Sequence, residues 1–366
     1  MANGDVFSPT AAVRLSCRRW MDVDSGKPAT SSGKCSVAID NDALDRFAVE
    51  ITDSILANKS LQVSEWDADG WHYTGKTYRA ESSDNIDNLM RMERVALYVL
   101  TMDAINFCFW PTSKEDVKNC LEYEHLAIAL RKIAEQDDDC KHQRICGENS
   151  IIRSAETFPL SPENLSVLSP HQLQNMLMQH IPEFDDEYFE VPDIDVRCRL
   201  LNELGDGLLI RHSGSALHMI AKANKSADAL VGIIMDTFPG FRDFVNDDGS
   251  SDPSTWMAAK ECSTAIHFYK RAQIAVADIW AALGRSRSSD ACASEFLTCC
   301  QFTDMDSITT FPDYRVPQIL RHVNVMKYSD DLAQKVDSKV ELNRGCHHEI
   351  SIRAATVVAV DDLMIK

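Results

Sequence analysis

The chain has 366 residues, of which 45% are hydrophobic, and it carries a formal net charge of −19 at pH 7. Its length allows one large domain or two ordinary ones, and its apolar content is sufficient for a sizeable core. Because the negative charge repels phosphate backbones, we expect no direct binding of tRNA or DNA, whereas a small nucleotide is easier to accommodate.

Helical patterns dominate the first half of the chain. Residues 1–40, rich in Ser and other small residues, are predicted to be a disordered tail. Asn41 can cap the helix that follows, and a long apolar segment extends from about Met90 to Phe109. A further helix is predicted from about Leu121 to Ala134. The stretch Asp137 to Ser166 combines an acidic triplet with Cys, Gly, Ser and Pro, which indicates a loop or insertion.

The second half continues the helical pattern, interrupted by polar segments. Pro317 suits the first turn of a helix, and Asn324 lies in a turn, where it tolerates the left-handed conformation. The segment Glu349 to Val360 alternates poorly and receives no assignment. Helices are predicted at 169–180, 193–210, 226–238, 267–280, 317–325 and 330–340. The sequence therefore predicts a mainly α protein, with a single helical domain over residues 41–366 and little β structure.

The cysteines and apolar segments indicate the compartment. The chain has 12 cysteines, none in CxxC spacing, and no apolar secretory leader, so we expect reduced thiols in a cytoplasmic or nuclear protein without organellar targeting. No cluster of Cys and His has standard zinc-ligand spacing, so no metal site is expected. The most apolar segment, Val95 to Trp110, is interrupted by Asp103 and Asn106, so no membrane span is expected.

The segment from His267 to Trp280 predicts a helix with one ionisable stripe. At about 100° per residue, one side carries ionisable side chains and an isoleucine, while apolar residues cover much of the rest. Such a helix is buried on several sides, so its stripe must face a partner charge, water in a cleft or a ligand. The alternative is the solvated face of an ordinary amphipathic helix. The stripe consists of His267, Lys270, Arg271, Ile274 and Asp278.

The segment from Gly70 to Thr77 fits the pattern G-x-x-x-x-G-K-[ST] of phosphate-binding loops. Such a loop requires a preceding strand, a following helix and slim residues between the glycines, so that backbone N–H groups can surround a phosphate. Here two aspartates precede the segment, and Trp71, His72 and Tyr73 fill its interior. We therefore expect no nucleoside triphosphate site here. In such a site, Lys76 would be the lysine that contacts the phosphates.

Two further segments carry candidate ligand groups. Asp103 and Asn106, three apart on a predicted helix, would share a face and can address the edge of a nucleobase. Phe107 can stack on a planar ring, although most aromatic residues of this segment are expected to pack in the core. His125 can meet a phosphate or ribose, or it is a core histidine that hydrogen-bonds to backbone.

Asp313, Tyr314 and Arg315 are predicted to lie at the beginning of a helix, because Pro317 suits its first turn. The N–H groups and the dipole favour an anion at this end, so Asp313 should stay ionised. The simplest interpretation is that Asp313 is only an N-terminal cap. A fixed carboxylate at this place can also act in chemistry.

Five segments resemble those of the queuosine salvage proteins, which are queuosine 5′-phosphate N-glycosidases. The similarity runs in order from about Leu44 to Arg353. It implies a helical architecture similar to helix-hairpin-helix DNA glycosylases and hydrolysis of queuosine 5′-monophosphate to queuine and ribose 5-phosphate, without a metal or organic cofactor. The matching segments are Asp103 to Trp110, Leu121 to Leu126, Phe238 to Asp243, His267 to Trp280 and Phe311 to Gln318.

The resemblance also implies roles for individual residues. Asp313 matches the catalytic aspartate, which can stabilise the positive charge that develops on ribose, attack it or activate a water. Lys270 matches a lysine that pairs with this carboxylate or reaches substrate oxygens. Arg271 and Arg315 are phosphate contacts or structural residues. The remaining residues expected to bind substrate are Asp103, Asn106, Phe107, His125, His267, Asp278 and Tyr314, with an internal salt bridge as the alternative for Asp278.

A non-catalytic binder of queuine or its nucleotide is the competing hypothesis. Pro312 precedes Asp313 where a small residue is expected, and the chain ends at Lys366 without the C-terminal segment that relatives carry. Tight binding without turnover, unchanged by Asp313→Asn, would favour the binder. Release of queuine that depends on Asp313 would favour the hydrolase.

Overall fold

The computed structural model describes residues 7–21, 35–57, 66–67, 69–75, 85–109, 121–136, 158–181, 191–246, 249–262, 264–285 and 298–366. Within these ranges the chain is mainly helical, as predicted, with two small antiparallel sheets of two strands each. Most of the loop predicted at residues 137–166 lies outside the described residues, and so do Trp110, Lys76 and Thr77.

The elements are numbered in chain order within the described residues. The helices are α1 (Pro9–Trp20), α2 (Asn41–Ala57), α3 (Asn85–Ala104), α4 (Tyr123–Glu135), α5 (Pro162–Ser166), α6 (Pro170–Met178), α7 (Ile194–His212), α8 (Ala216–Ala221), α9 (Ala227–Thr237), α10 (Trp256–Glu261), α11 (Lys270–Ile279), α12 (Arg315–His322), α13 (Asp330–Asp337) and α14 (His347–Leu363). The strands are β1 (Val37–Ile39), β2 (Phe244–Val245), β3 (Ile266–His267) and β4 (Met326–Tyr328). A π-helical turn, Trp280–Gly284, follows α11 directly.

The chain forms two compact units where the sequence predicts one domain. Unit 1 comprises Met1–Ser64, Phe241–Gln273 and Asp304–Lys366. Unit 2 comprises Glu65–Gly240 and Ile274–Thr303. Each unit joins segments that are distant in sequence, and polar breaks along the chain do not mark such a division.

In unit 1, helix α1 overturns the prediction of a disordered tail for the part of residues 1–40 that is described. Val13 and Cys17 are fully buried. Arg14 Nε lies 3.0 Å from Asp361 Oδ2, and Arg18 Nη2 lies 2.6 Å from Asp362 Oδ1, both on α14. The partner of α1 is more than 300 residues away in sequence, so local composition gives no indication of the contact.

Helix α14 occupies the segment that received no assignment. It contacts α1, β1, α2, α12 and β4. Six consecutive residues, Ala354 to Ala359, are buried, so apolar side chains face all sides and leave no helical periodicity to detect. Helices α12 and α13 confirm the predicted pair, and Asn324 between them has a φ of 62°, as expected.

Unit 2 is organised around α7, against which several shorter helices pack. Gly205 of α7 lies against α5 so closely that a Cβ there would come within 2.5 Å of the Pro162 carbonyl oxygen. Glu93 of α3 caps α8, because its carboxylate accepts hydrogen bonds from the N–H groups of Ala216 and Leu217 at 2.6 and 2.9 Å. These contacts fix α3, which carries Asp103, and α7, which carries Arg197.

The loop after α3 is held by one buried arginine of α7. Arg197 is fully buried, and its Nε donates to the Pro192 carbonyl at 2.7 Å. Its Nη1 donates to the Ile105 carbonyl, and Nη2 donates to the carbonyls of Phe107 and Cys108, both at 2.7 Å. Cys108 has a φ of 45°, so the guanidinium supports a sharply turned backbone.

Replacing this arginine should destabilise the protein strongly. Arg197→Met keeps the apolar stem but leaves four carbonyl groups without their donor, so we expect the free energy of unfolding to fall by about 3 kcal/mol or more. Urea denaturation measures the change. Arg199→Met, an exposed position on the same helix, is the matched control. Equal stability of the two variants would contradict this account of the loop.

Candidate functional site

The helix that carries Lys270 begins later than predicted. Residues Ile266 and His267 form β3 and pair with β2, in the register Phe244 to His267 and Val245 to Ile266. Tyr269 then adopts a left-handed conformation with a φ of 50°, and α11 begins at Lys270. His267 therefore does not belong to the helical stripe, because pairing with a distant strand holds it in extended backbone.

His267 is buried and bonded through both its ring and its backbone. Its Nδ1 shares a hydrogen bond of 2.7 Å with the Tyr269 hydroxyl, and its N–H donates to Ser16 Oγ at 3.0 Å. Burial lowers the pKa of His267 to about 4, with a smaller contribution from Arg19. The imidazole is therefore neutral near pH 7, and its contacts are those of a core residue.

Charged side chains of both signs act on the Lys270 ammonium group in unit 1. Burial lowers the pKa of its ammonium group, and Asp313 raises it. Arg353 and Arg271 lower this pKa further, while Asp243 raises it. The Lys270 Nζ forms no ion pair or hydrogen bond with the residues that the structure describes. Lys270 and Asp313 therefore interact through space, and the structure lacks the direct ion pair that was one of the two roles expected for Lys270.

Asp313 lies at the beginning of α12, as predicted. Its Oδ1 accepts hydrogen bonds from the N–H groups of Arg315 and Val316 at 2.8 and 3.2 Å. Pro317 is buried in the first turn. Oδ2 accepts no hydrogen bond from the described part of the chain. Oδ1 thus caps the helix. Because this cap holds the carboxylate in place, it also fixes the direction in which Oδ2 points.

Three further predicted residues of unit 1 lie beside aromatic rings. Tyr314 is 40% exposed, and the Arg315 guanidinium lies 5.4 Å from the centre of its ring. The Arg271 guanidinium lies 5.6 Å from the centre of the Phe241 ring. A guanidinium stacked on a ring directs its N–H groups into its own plane, which is the geometry that phosphate oxygens require.

Asp103 and Asn106, in unit 2, are buried neighbours, although not on one helix. Helix α3 ends at Ala104, so Asn106 lies in the loop that Arg197 holds. The side chains still meet, because Asn106 Nδ2 donates to Asp103 Oδ1 at 3.4 Å. Phe107 stacks on the Arg197 guanidinium at 4.6 Å. The predicted helical face is wrong, and the predicted proximity is confirmed.

An aromatic and acidic cluster in unit 2 was not predicted as a whole. The rings of Trp66 and His72 stack at 4.6 Å, and the Tyr123 ring lies 5.9 Å from His72. Asp278 accepts a hydrogen bond from the Trp66 side chain, and burial raises its pKa to about 7. Burial also raises the pKa of Tyr123, and the charges of Asp103 and Asp278 add to this effect.

The segment that matches the phosphate-loop pattern contributes to this cluster instead. Its described part, residues 70–75, contains neither a helix nor a strand. Tyr73 is buried, and His72 Nδ1 lies 3.2 Å from the Tyr98 hydroxyl. The bulky rings of this segment argue against a phosphate loop. The same rings were the signal in the sequence from which an aromatic cluster could have been predicted.

His125 has a structural partner at the beginning of α4. Its Nδ1 accepts a hydrogen bond from the Glu122 N–H at 3.0 Å. The Glu122 carboxylate in turn accepts from the backbone of His125, which completes a reciprocal capping box. This geometry agrees with the alternative given above, a histidine that hydrogen-bonds to backbone.

Asp243 and Arg353 are residues near Lys270 that the sequence analysis did not select. Arg353 Nη1 donates to Asp243 Oδ1 at 3.1 Å, and the Lys270 N–H donates to Asp243 Oδ2 at 3.3 Å. Burial opposes ionisation of Asp243, but Arg353 outweighs it and holds the pKa of this carboxyl well below its usual range. Asp243 ends one of the segments quoted for the family resemblance, which was the available signal.

The described residues show neither a metal cluster nor a membrane-spanning helix. No three His, Cys, Asp or Glu side chains among them are grouped so that they could hold a metal ion. None of their helices is long and apolar enough to cross a membrane. The eight cysteines in the described ranges are free thiols.

Comparison with known proteins identifies the family. The model of a family described as queuosine salvage protein matches residues 87–366. A relative from Dictyostelium discoideum is 31% identical over 328 residues, 89% of this chain and 81% of the relative. Relatives from Bos taurus and Sphaerobacter thermophilus are 35% and 30% identical, each over 74% of this chain and over 66% and 69% of their own. All three are named queuosine 5′-phosphate N-glycosylase/hydrolase. The chain belongs to the queuosine salvage protein family.

The raised pKa of Asp278 predicts a pH dependence of stability. The folded protein holds a proton on this carboxyl up to a pKa of about 7, whereas the ordinary value is 3.8. The folded state therefore binds more protons than the unfolded state in this window, and the contribution of Asp278 to stability falls as pH rises through it. Asp278→Asn removes this loss, so its stability relative to wild type should increase between pH 4 and pH 7.

Urea denaturation at several pH values in this window measures the difference. Asp206→Asn is the control, because Asp206 is an exposed aspartate of unit 2. A stability difference between Asp278→Asn and wild type that stays constant with pH would show that the carboxyl is ionised throughout the window.

Proposed function

We propose that this protein hydrolyses the N-glycosidic bond of queuosine 5′-phosphate and releases queuine and ribose 5-phosphate. It would thereby supply queuine for reuse in tRNA modification. The observation that carries the proposal is membership of a family whose matched relatives share the name queuosine 5′-phosphate N-glycosylase/hydrolase. The net charge of −19 favours a small nucleotide over direct contact with tRNA.

Asp313 is the proposed catalytic carboxylate. Cleavage of the bond between ribose C1′ and the base develops positive charge on the ribose ring, and a nearby fixed carboxylate stabilises that charge most effectively when it need not reorganise. The two N–H groups that hold Oδ1 provide this fixation and leave Oδ2 for the substrate. The carboxylate stabilises the cation, attacks C1′ or activates a water.

Lys270 is the proposed cationic partner. Its half-buried ammonium interacts with Asp313 through space, and no ion pair within the described residues engages it. A cation so placed can bind substrate oxygens. Arg271, Tyr314 and Arg315 are the proposed contacts of the 5′-phosphate in the same unit.

A second group of residues has the chemistry to bind the base. Asp103 and Asn106 offer acceptor and donor atoms for its edge, and Phe107 offers a ring face. Asp278 offers a buried carboxyl, which suits the secondary amine of queuine if that amine is cationic. Because a 7-deazapurine has no N7 to protonate, the leaving group needs donors at other positions, and stabilisation of the ribose cation becomes more important. His125 and His267 are assigned structural contacts instead.

The direct test is mass-spectrometric detection of queuine after the protein is mixed with queuosine 5′-phosphate. We expect release by wild type and a decrease of roughly 1,000-fold or more in Asp313→Asn, since the neutral amide cannot stabilise the ribose cation. Asp330→Asn is the matched control, because Asp330 is also an aspartate in the first turn of a helix of unit 1.

Two outcomes would contradict the proposal. Intact queuosine 5′-phosphate after incubation with folded wild type would leave the non-catalytic binder, for which ligand titration then measures the affinity. Release that is equal in wild type and Asp313→Asn would retain the activity but remove the assigned carboxylate. Loss of activity in Asp330→Asn as well would point to helix stability rather than to chemistry at Asp313.

A further inference from the structure

Asp243 and Arg353 form a buried ion pair that the proposed chemistry does not use. Their side chains are only 17% and 13% exposed. Arg353 Nη1 donates to Oδ1 of Asp243 at 3.1 Å, and Nη2 donates to Oδ2, so the contact is bidentate. Removing two charges from water is costly, and the pair is weak evidence for stability alone. Its place in the fold indicates another role.

Asp243 satisfies three successive N–H groups where α11 begins. Its backbone oxygen accepts hydrogen bonds from the N–H groups of Phe268 and Tyr269 at 2.9 and 3.0 Å. Its carboxylate Oδ2 accepts from the Lys270 N–H at 3.3 Å. Tyr269 has a left-handed backbone, and the first N–H groups of a helix have no partner within it. One residue therefore defines the point at which the helix begins and Lys270 emerges.

Arg353 fixes this cap from the opposite side. Besides its bidentate contact, it donates from Nη1 to Glu349 Oε1 at 3.2 Å, and its guanidinium lies 3.9 Å from the centre of the Phe268 ring. The carboxylate of Asp243 is thus prevented from rotating, and Phe268 is clamped next to it. The first constraint acts on the N–H of Lys270 through the Asp243 carboxylate, and the second acts on Phe268, two residues before Lys270.

We propose that Asp243 and Arg353 are positioning residues for Lys270, which fix both the location of its side chain and the charge around its ammonium group. The inference rests on the proposed function, since it assigns the purpose of the arrangement to N-glycoside hydrolysis. Asp243 and Arg353 themselves touch no reacting atom in this account. They act through the helix N-terminus and through their charges.

The charges around Lys270 predict the direction in which its pKa shifts in each variant. The groups that face the Lys270 ammonium are Asp313, Asp243, Arg353 and Arg271. Burial lowers the pKa of Lys270, and loss of the negative Asp243 lowers it further, whereas loss of the positive Arg353 raises it. Shifts of opposite sign cannot come from a general loosening of the fold.

The experiment measures kcat and KM for queuosine 5′-phosphate against pH in three variants. Asp243→Asn keeps the size and one acceptor, and we expect kcat to fall about 10- to 100-fold, with the alkaline limb of its pH profile moved to lower pH. Arg353→Gln should move that limb to higher pH. Arg353→Lys keeps the charge but loses the bidentate and stacked geometry, so kcat should fall while the limb stays in place.

Asp361→Asn is the matched control. Asp361 is 15% exposed, pairs with Arg14 in the same unit, and contacts neither Lys270 nor Asp313 within the described residues. It should lose thermal stability without a change in the pH profile. An alkaline limb that does not move in Asp243→Asn and Arg353→Gln, or that moves in the same direction in both, would overturn the proposal.

A measurement without substrate separates this inference from the proposed function. Reductive ¹³C-methylation of lysines and NMR titration give the pKa of Lys270, assigned with Lys270→Arg. We expect a lower pKa in Asp243→Asn and a higher one in Arg353→Gln, whether or not queuosine 5′-phosphate is cleaved. If wild type cleaves the substrate but neither variant changes the Lys270 pKa or kcat, the positioning role fails and the proposed function stands. If Asp243→Asn does not fold, Arg353→Gln and Arg353→Lys carry the test.

Discussion

The beginning of α11 is the constraint on which the proposed chemistry depends. A helix that begins inside a protein must find partners for its first N–H groups. Asp243 accepts a hydrogen bond from the N–H of Lys270, the first residue of α11, and from those of Phe268 and Tyr269 just before it. Asp243 is held in turn by Arg353 of α14, the helix against which α1 packs. Segments far apart in the sequence therefore meet to place one lysine.

The sequence predicts the local features of this arrangement and misses those made by distant partners. The apolar surface of α11 and the cap of α12 at Asp313 follow from spacing and from Pro317, and the structure has both. The helix start is wrong because His267 pairs with Phe244 of β2, a contact that periodicity cannot reveal. The tail prediction likewise misses α1, because this helix packs against α14, which is distant in the sequence.

In the candidate site, too, local features can be predicted from the sequence, whereas contacts between distant residues cannot. A carboxylate at a helix N-terminus can be foreseen. Its capping role is compatible with the proposed catalytic role, because one oxygen of Asp313 caps the helix and the other accepts no hydrogen bond from the described part of the chain. The grouping of Trp66, His72 and Asp278 cannot be foreseen, since it needs the tertiary fold. Arg197 likewise looks like any helical arginine until its four carbonyl partners are known.

We propose that Lys270 and Asp313 act as one unit in cleavage of the glycosidic bond. A double-mutant cycle in kcat with Lys270→Met, Asp313→Asn and the double variant measures their coupling directly. Residues that act as a unit are strongly non-additive, so the double variant should be within about threefold of Asp313→Asn. Losses that multiply in the double variant would show that the two residues act independently, and would contradict the account.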